Sequence, residues 1–189
     1  MKSERREEIL RAAERLFREH GAGKTTVGDI AREVGIGVGT VYLEFQSKDA
    51  IVAALSNSRH DRVVQAMLAV SCEEPALCLE RILEERVRVF FALASEGTHA
   101  CDFVLCQSAQ AGVGHFSEAE SGLLERVLRS GRDLGVFAFA DLAQTSHLVQ
   151  RACAAYSPPW LFSLDPATAI SEVVALARLI SRGLLARGD

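Results

Sequence analysis

Long apolar runs are missing from this sequence of 189 residues. The longest are Ala50–Leu55 and Val89–Ala94, far short of the ~20 residues a membrane span needs. The opening residues are densely charged, with Lys2, Glu4, Arg5, Arg6, Glu7 and Glu8, and lack the apolar core of a secretory signal. Cysteines number five, an odd count, which reads as a cytoplasmic chain with mostly reduced thiols rather than a disulfide scaffold. Enzyme signatures are missing too: no Gly-x-Ser-x-Gly, HExxH or P-loop occurs, and no tight C-x2-C pair marks a zinc site. Charge of one sign is also scarce. The net charge is −4, which argues against a nonspecific coat on nucleic acid. What remains, 49% apolar and 24% charged residues, is an ordinary globular composition, large enough to bury a core without staples.

Helical periodicity fills the chain. Ile9, Leu10, Ala13, Leu16 and Phe17 share one face of a first helix that Gly21 stops. Thr26 and Asp29 form a capping-box start for a helix over Val27–Val34, which Gly35 ends. A short helix follows over Val38–Phe45. Ser47 caps the next, which runs towards Val70. Pro75 opens a helix reaching about Ser95. Further helices are expected over Cys101–Gln110, Ser117–Asp133, Leu142–Tyr156 and from Asp165-Pro166 to about Arg187. The fold class is therefore all-α with about nine helices. Only Val136–Phe139 competes as a strand, without an evident partner.

The segment Val27-Gly28-Asp29-Ile30-Ala31-Arg32-Glu33-Val34-Gly35-Ile36-Gly37-Val38-Gly39-Thr40-Val41-Tyr42 carries the chemistry. Its pattern is two helices joined by a tight turn. Ala31 lets the helices approach, Gly35 supplies a positive φ, and Ile30, Val34, Ile36 and Val41 join them. The second helix exposes Val38, Thr40, Tyr42 and its first backbone N–H groups, which suits a major groove. Gly35-x-Gly37-x-Gly39 also resembles a dinucleotide loop, but no strand precedes it.

These residues, with Ile9–Phe17, His20-Gly21, Thr25–Val27, Phe45 and Ser47-Lys48, resemble the N-terminal domain of TetR-family transcriptional regulators from Ile9 through Leu55. The resemblance implies a homodimer, a double-stranded DNA operator with two half-sites and a ligand-responsive C-terminal domain. It divides the chain into a DNA-binding domain, 1–47, and a regulatory and dimerisation domain, 48–189. Carried over by position, Thr26, Gly37, Val38, Thr40, Tyr42 and Lys48 are the expected DNA contacts. Leu43-Glu44 departs from the family, which usually has aromatic or His residues there, and Glu44 would repel a phosphate it faced.

The resulting expectation is a repressor, not an enzyme, released by a small and largely apolar ligand. Phe90, Phe103, Phe116 and Trp160 are the aromatics that would line its pocket, with Gln107, Gln110, His147 and Arg151 as polar handles. No cofactor or resident metal is expected. An alternative is a thiol- or metal-responsive regulator using Cys101 and Cys106, since His99, Cys101, Asp102, Cys106 and His115 fall in one segment. The last helix is apolar over far more than the third of its circumference that one core requires. A dimer interface is therefore expected on it and its neighbour, through Leu142, Val149, Val173, Leu176, Ala177, Ile180 and Leu184.

Overall fold

The computed structural model describes residues 2–96 and 116–186. Among these, eight α-helices follow one another: α1 (Lys2–His20), α2 (Val27–Val34), α3 (Val38–Glu44), α4 (Lys48–Ala69), α5 (Pro75–Ala94), α6 (Glu118–Asp133), α7 (Leu142–Ala152) and α8 (Pro166–Leu184). The expected helix over Cys101–Gln110 lies outside the described residues. Two 3-10 turns, Ala154–Tyr156 and Trp160–Ser163, follow α7. The helix expected to reach Tyr156 thus ends early, because Cys153 leaves helical geometry (φ −85°, ψ 3°) and the chain tightens into the first of these turns.

Local chemistry sets the helix ends. Thr26 and Asp29 form a capping box on α2, and Ser117 and Glu120 form one on α6: each hydroxyl accepts the backbone N–H three residues on, and each carboxylate accepts the cap's own N–H. Asp141 and Asp165 cap α7 and α8, the latter with Pro166 in its first turn. Ser47 Oγ accepts the Ala50 N–H at 3.1 Å at the start of α4.

The chain divides into two compact units. The first runs to Asp61 and takes in a segment beginning at Ala92. Its core joins Ile9, Ala13 and Phe17 of α1, Ile30 and Ala31 of α2, Val41 of α3, and Ile51 and Leu55 of α4. Ile51 and Leu55 bring the start of α4 into this core, and without them the α1–α3 core would lie open. Arg59 of α4 is buried in the same unit, paired with Glu14 (3.2 Å) and Glu96 (3.1 Å), and donates to the Leu93 carbonyl.

The second unit comprises Arg62–Phe91 and the chain beyond the first unit's second segment. Leu79, Leu83, Val87, Leu124, Leu128, Val173 and Ala177 are among its buried apolar residues. Gly131 of α6 permits the close approach of Phe137: a Cβ there would sit 2.1 Å from the ring. Phe137 also forms an isolated antiparallel bridge with Leu185, and the Ala138 N–H donates to the Leu184 carbonyl at 2.7 Å. The Val136–Phe139 stretch therefore does find a backbone partner, in the residues that follow α8. Cys72 and Cys78 are joined by a disulfide with 5.5 Å between Cα atoms, against the expectation of reduced thiols. The turn from the α4–α5 connection into the first turns of α5 brings them within bridging distance. Cys153 is a buried free thiol. No helix among the described residues is long and apolar enough to cross a membrane.

Candidate nucleic-acid interface

The first unit presents a helix-turn-helix. Gly35 ends α2 in the left-handed conformation (φ 76°), its N–H reaching the Ala31 and Arg32 carbonyls, and the Ile36 N–H bonds to Ala31 at 2.9 Å. This turn directs the chain through Gly37, the extended N-cap of α3. Val41 and Phe45 are then buried, at 0% and 3% exposure. The other side of the helix faces outwards: Val38, Tyr42 and Leu43 are exposed, Leu43 at 84%. Thr40 is half-buried beside them.

Thr26 is exposed, but its hydroxyl serves the α2 cap, donating to Asp29 Oδ2 at 2.6 Å. That bond, the Thr26 backbone N–H and the Arg32 guanidinium hold the Asp29 carboxyl below its ordinary value. Lys48 lies half-buried, its ammonium donating to the carbonyls of Ala22 (2.7 Å) and Thr25 (3.2 Å). It thereby ties the α1–α2 loop to the start of α4. An ammonium has three N–H donors, and these two bonds engage two of them.

Sequence reasoning missed Arg6. Its guanidinium stacks 3.9 Å over the Phe45 ring and donates to the Glu44 carbonyl at 2.7 Å, so a positive charge sits at the C-terminal end of α3, where the helix dipole favours one. Only its place on α1, on the helix preceding the motif, hinted at such a role.

Residues expected around a ligand are brought together only in part. Phe90 and Phe116 are buried against Arg86, whose guanidinium lies 4.9 Å and 4.0 Å from their ring centroids. Arg86 is itself buried; it donates to Glu120 Oε1 (2.6 Å), Ser157 Oγ (3.0 Å) and the Tyr156 carbonyl (3.2 Å). His147, Arg151 and Trp160 are exposed and do not join this cluster. Phe103, Gln107 and Gln110, like Cys101 and Cys106, lie outside the described residues. An open groove of about 430 Å³ is lined by Arg126, Arg129, Ser130, Asp133 and Leu134, none of them an expected ligand residue. Burial pushes the Cys153 thiol up to about 11, against the opposing pull of Arg86.

The expected dimer residues also divide. Val149, Val173 and Ala177 are at most 4% exposed within the single chain and offer no surface to a partner, because the i, i+4 rows they occupy face the chain's own core. Leu142, Leu176, Ile180 and Leu184 are half-buried, while Leu148 and Leu179 stand 60% and 66% exposed.

A tight turn with a left-handed glycine, a buried seam and an outward α3 define a helix-turn-helix protein of the DNA-binding regulator class. Residues 9–55 match the family described as "Bacterial regulatory proteins, tetR family". Over 192 aligned residues the chain is 27% identical to the HTH-type transcriptional regulator TtgR of Pseudomonas putida, covering 90% of this chain and 86% of that one. The probable HTH-type transcriptional regulator ArpR of Pseudomonas putida matches at the same identity and coverage. A TetR-family regulator from Pectobacterium atrosepticum shares the fold with a TM-score of 0.66 at 22% identity, covering 100% of this chain and 97% of that one. A transcriptional regulator from Cytophaga hutchinsonii does so at 0.71 and 18%, covering 95% and 97%. Residues 9–55 thus form a DNA-binding domain of the TetR type, and along its length the chain is similar to TetR-family transcriptional regulators.

Proposed function

We propose that this regulator is a homodimeric repressor that holds a two-half-site operator through α3 and releases it on binding a small, largely apolar molecule. The observation that carries the DNA-binding part is the outward face of α3, with Val38, Tyr42 and Leu43 exposed on a helix fixed by Val41 and Phe45. In this reading Thr26, Gly37 and Thr40 are further contacts to the operator, beside those made by that face. Lys48 contributes a phosphate contact through the N–H left over from its two loop bonds. Its place of action is the cytoplasm, where the operator is.

Support for the effector lies in the aromatic content of the second unit and in α4, which supplies residues to both units. A change in α4 brought about by a ligand would alter the placement of α3, and the ligand acts only through its difference in affinity between the two arrangements. Exposed Leu148 and Leu179, with half-buried Leu142, Leu176, Ile180 and Leu184, supply the apolar surface for the dimer.

The test is selection of bound DNA from the region upstream of the protein's own gene, followed by a ligand screen on the recovered operator. A palindromic site released by an apolar compound is the expected result. Failure to enrich any sequence would overturn the reading. A second reading, thiol control, is favoured by the Cys72–Cys78 disulfide rather than by Cys101 and Cys106. Operator affinity that changes with reductant, and no longer does so in a Cys72→Ser/Cys78→Ser variant, would select it.

A further inference from the structure

A major-groove helix reads bases in two ways. Arg, Lys, Asn and Gln hydrogen-bond to purine edges, often in pairs of bonds, and apolar side chains touch the C5-methyl of thymine. Between Gly37 and Glu44 there is no Arg, Lys, Asn, Gln or His. The helix therefore cannot make the paired hydrogen bonds that recognise guanine or adenine.

Its outward surface is apolar instead. Val38 and Tyr42 stand four residues apart, as do Gly39 and Leu43, so these four make one continuous face. Val38 is 43% exposed, Tyr42 51% and Leu43 84%. Open space surrounds the place where a Gly39 side chain would lie, and at Gly37 such a side chain would meet only Thr40 Oγ1, at 3.9 Å. Packing within the chain therefore does not require glycine at either position, and their bare backbone lets the face come close to what it docks against. Leu43 has the same standing: no packing explains a leucine so exposed. The one carboxylate, Glu44, is half-buried on the same side as Thr40, flanking the apolar face rather than lying on it.

We infer that α3 recognises thymine methyl groups in the major groove, with Leu43 and Val38 as the specificity-determining side chains and Tyr42 spanning them with its phenol. The inference rests on the DNA-binding reading above and names what that surface reads: steps rich in A·T pairs whose thymines lie on the strand facing Leu43.

Replacing thymine by uracil deletes the methyl and leaves every hydrogen-bonding group in place, which makes it the direct probe. Duplexes enriched by the full-length protein from a random-sequence pool are resynthesised with single thymine-to-uracil changes and titrated by fluorescence anisotropy. At one or two positions per half-site, affinity is expected to fall about fourfold, the worth of one buried methyl. In Leu43→Ala the thymine–uracil difference at one such position should vanish, with an unchanged circular dichroism spectrum. Val38→Ala should erase it at a neighbouring position. If a sequence is enriched but no uracil change alters affinity, the inference fails while DNA binding stands. A difference that persists undiminished in both variants overturns it as well. If no sequence is enriched, the DNA-binding reading falls and this inference falls with it.

Discussion

Tyr42 lies half exposed on α3, and its phenol is the longest polar reach on that helix. Tyr42→Ala is expected to weaken operator binding by about 1–3 kcal/mol, the range for a well-formed base or phosphate contact, as measured by titration at fixed salt. Lys48→Ala is expected to reduce the salt slope of binding by about one unit without altering sequence preference. It should also loosen the α1–α2 loop, since the same ammonium bonds the Ala22 and Thr25 carbonyls. That loop contact was not legible in the sequence, because the loop lies more than twenty residues from Lys48. Cys153 makes the opposite case. Its thiol is buried and pushed up to about 11, so at neutral pH it stays protonated and unreactive. Iodoacetamide followed by peptide mapping should leave Cys153 unlabelled in the native protein, while Cys72 and Cys78 become labelled once reduced. Rapid labelling of Cys153 would contradict its burial.

At the scale of elements, the caps were the most legible features, because a cap and its partner lie three residues apart. Thr26 with Asp29 announced α2 in the sequence, and the structure shows both reciprocal bonds. The box also makes α2 acid-sensitive. Hydrogen bonds from the Thr26 hydroxyl and backbone N–H lower the Asp29 carboxyl from its usual 3.8. A depressed acid stabilises the fold above its unfolded pKa, and that contribution fades as pH falls through the lower folded value. The melting temperature of Asp29→Asn should therefore lie below that of the native chain by a constant margin at neutral and mildly acid pH. The margin should shrink below 3.8. A gap independent of pH would assign the cap to geometry alone. Elements whose partners are distant were harder to read. Val136–Phe139 showed no strand partner in sequence because its partner is the Leu184–Ala186 segment, and helix ends by themselves carry no pairing signal.

For the whole molecule, the apolar girth of α8 was legible, but the allocation of its faces was not. Periodicity marks every apolar residue alike. Only the packing of the chain shows that Val173 and Ala177 face inward while Leu179 stays exposed. The proposed dimer therefore makes a sharper demand than the sequence did. Leu148→Glu with Leu179→Glu alters residues that are 60% and 66% exposed, so the fold should survive while the apolar contact is lost. Sedimentation at micromolar protein should show a dimer for the native chain and a shift towards monomer for the double variant, with operator affinity falling in step. A double variant that stays dimeric would move the interface elsewhere. Arg86 and Glu120 escaped notice because charged residues default to the surface. The available signal was spacing: Arg86 sits three residues after Leu83 and four before Phe90, on the apolar side of α5.

That buried pair bears on how the sequence can drift. Arg86 is 2% exposed and Glu120 0%, and Glu120 also closes the α6 capping box, accepting the Ser117 N–H at 2.7 Å. Losing either charge alone strands the other in the interior at about 3–5 kcal/mol, whereas replacing both by apolar residues of similar volume is often neutral. For a domain with about 5–15 kcal/mol in hand, the single-step intermediates are the ones purged. The two codons should accordingly be inherited as one unit across descendants of this gene, changing together or not at all, although they lie 34 residues apart.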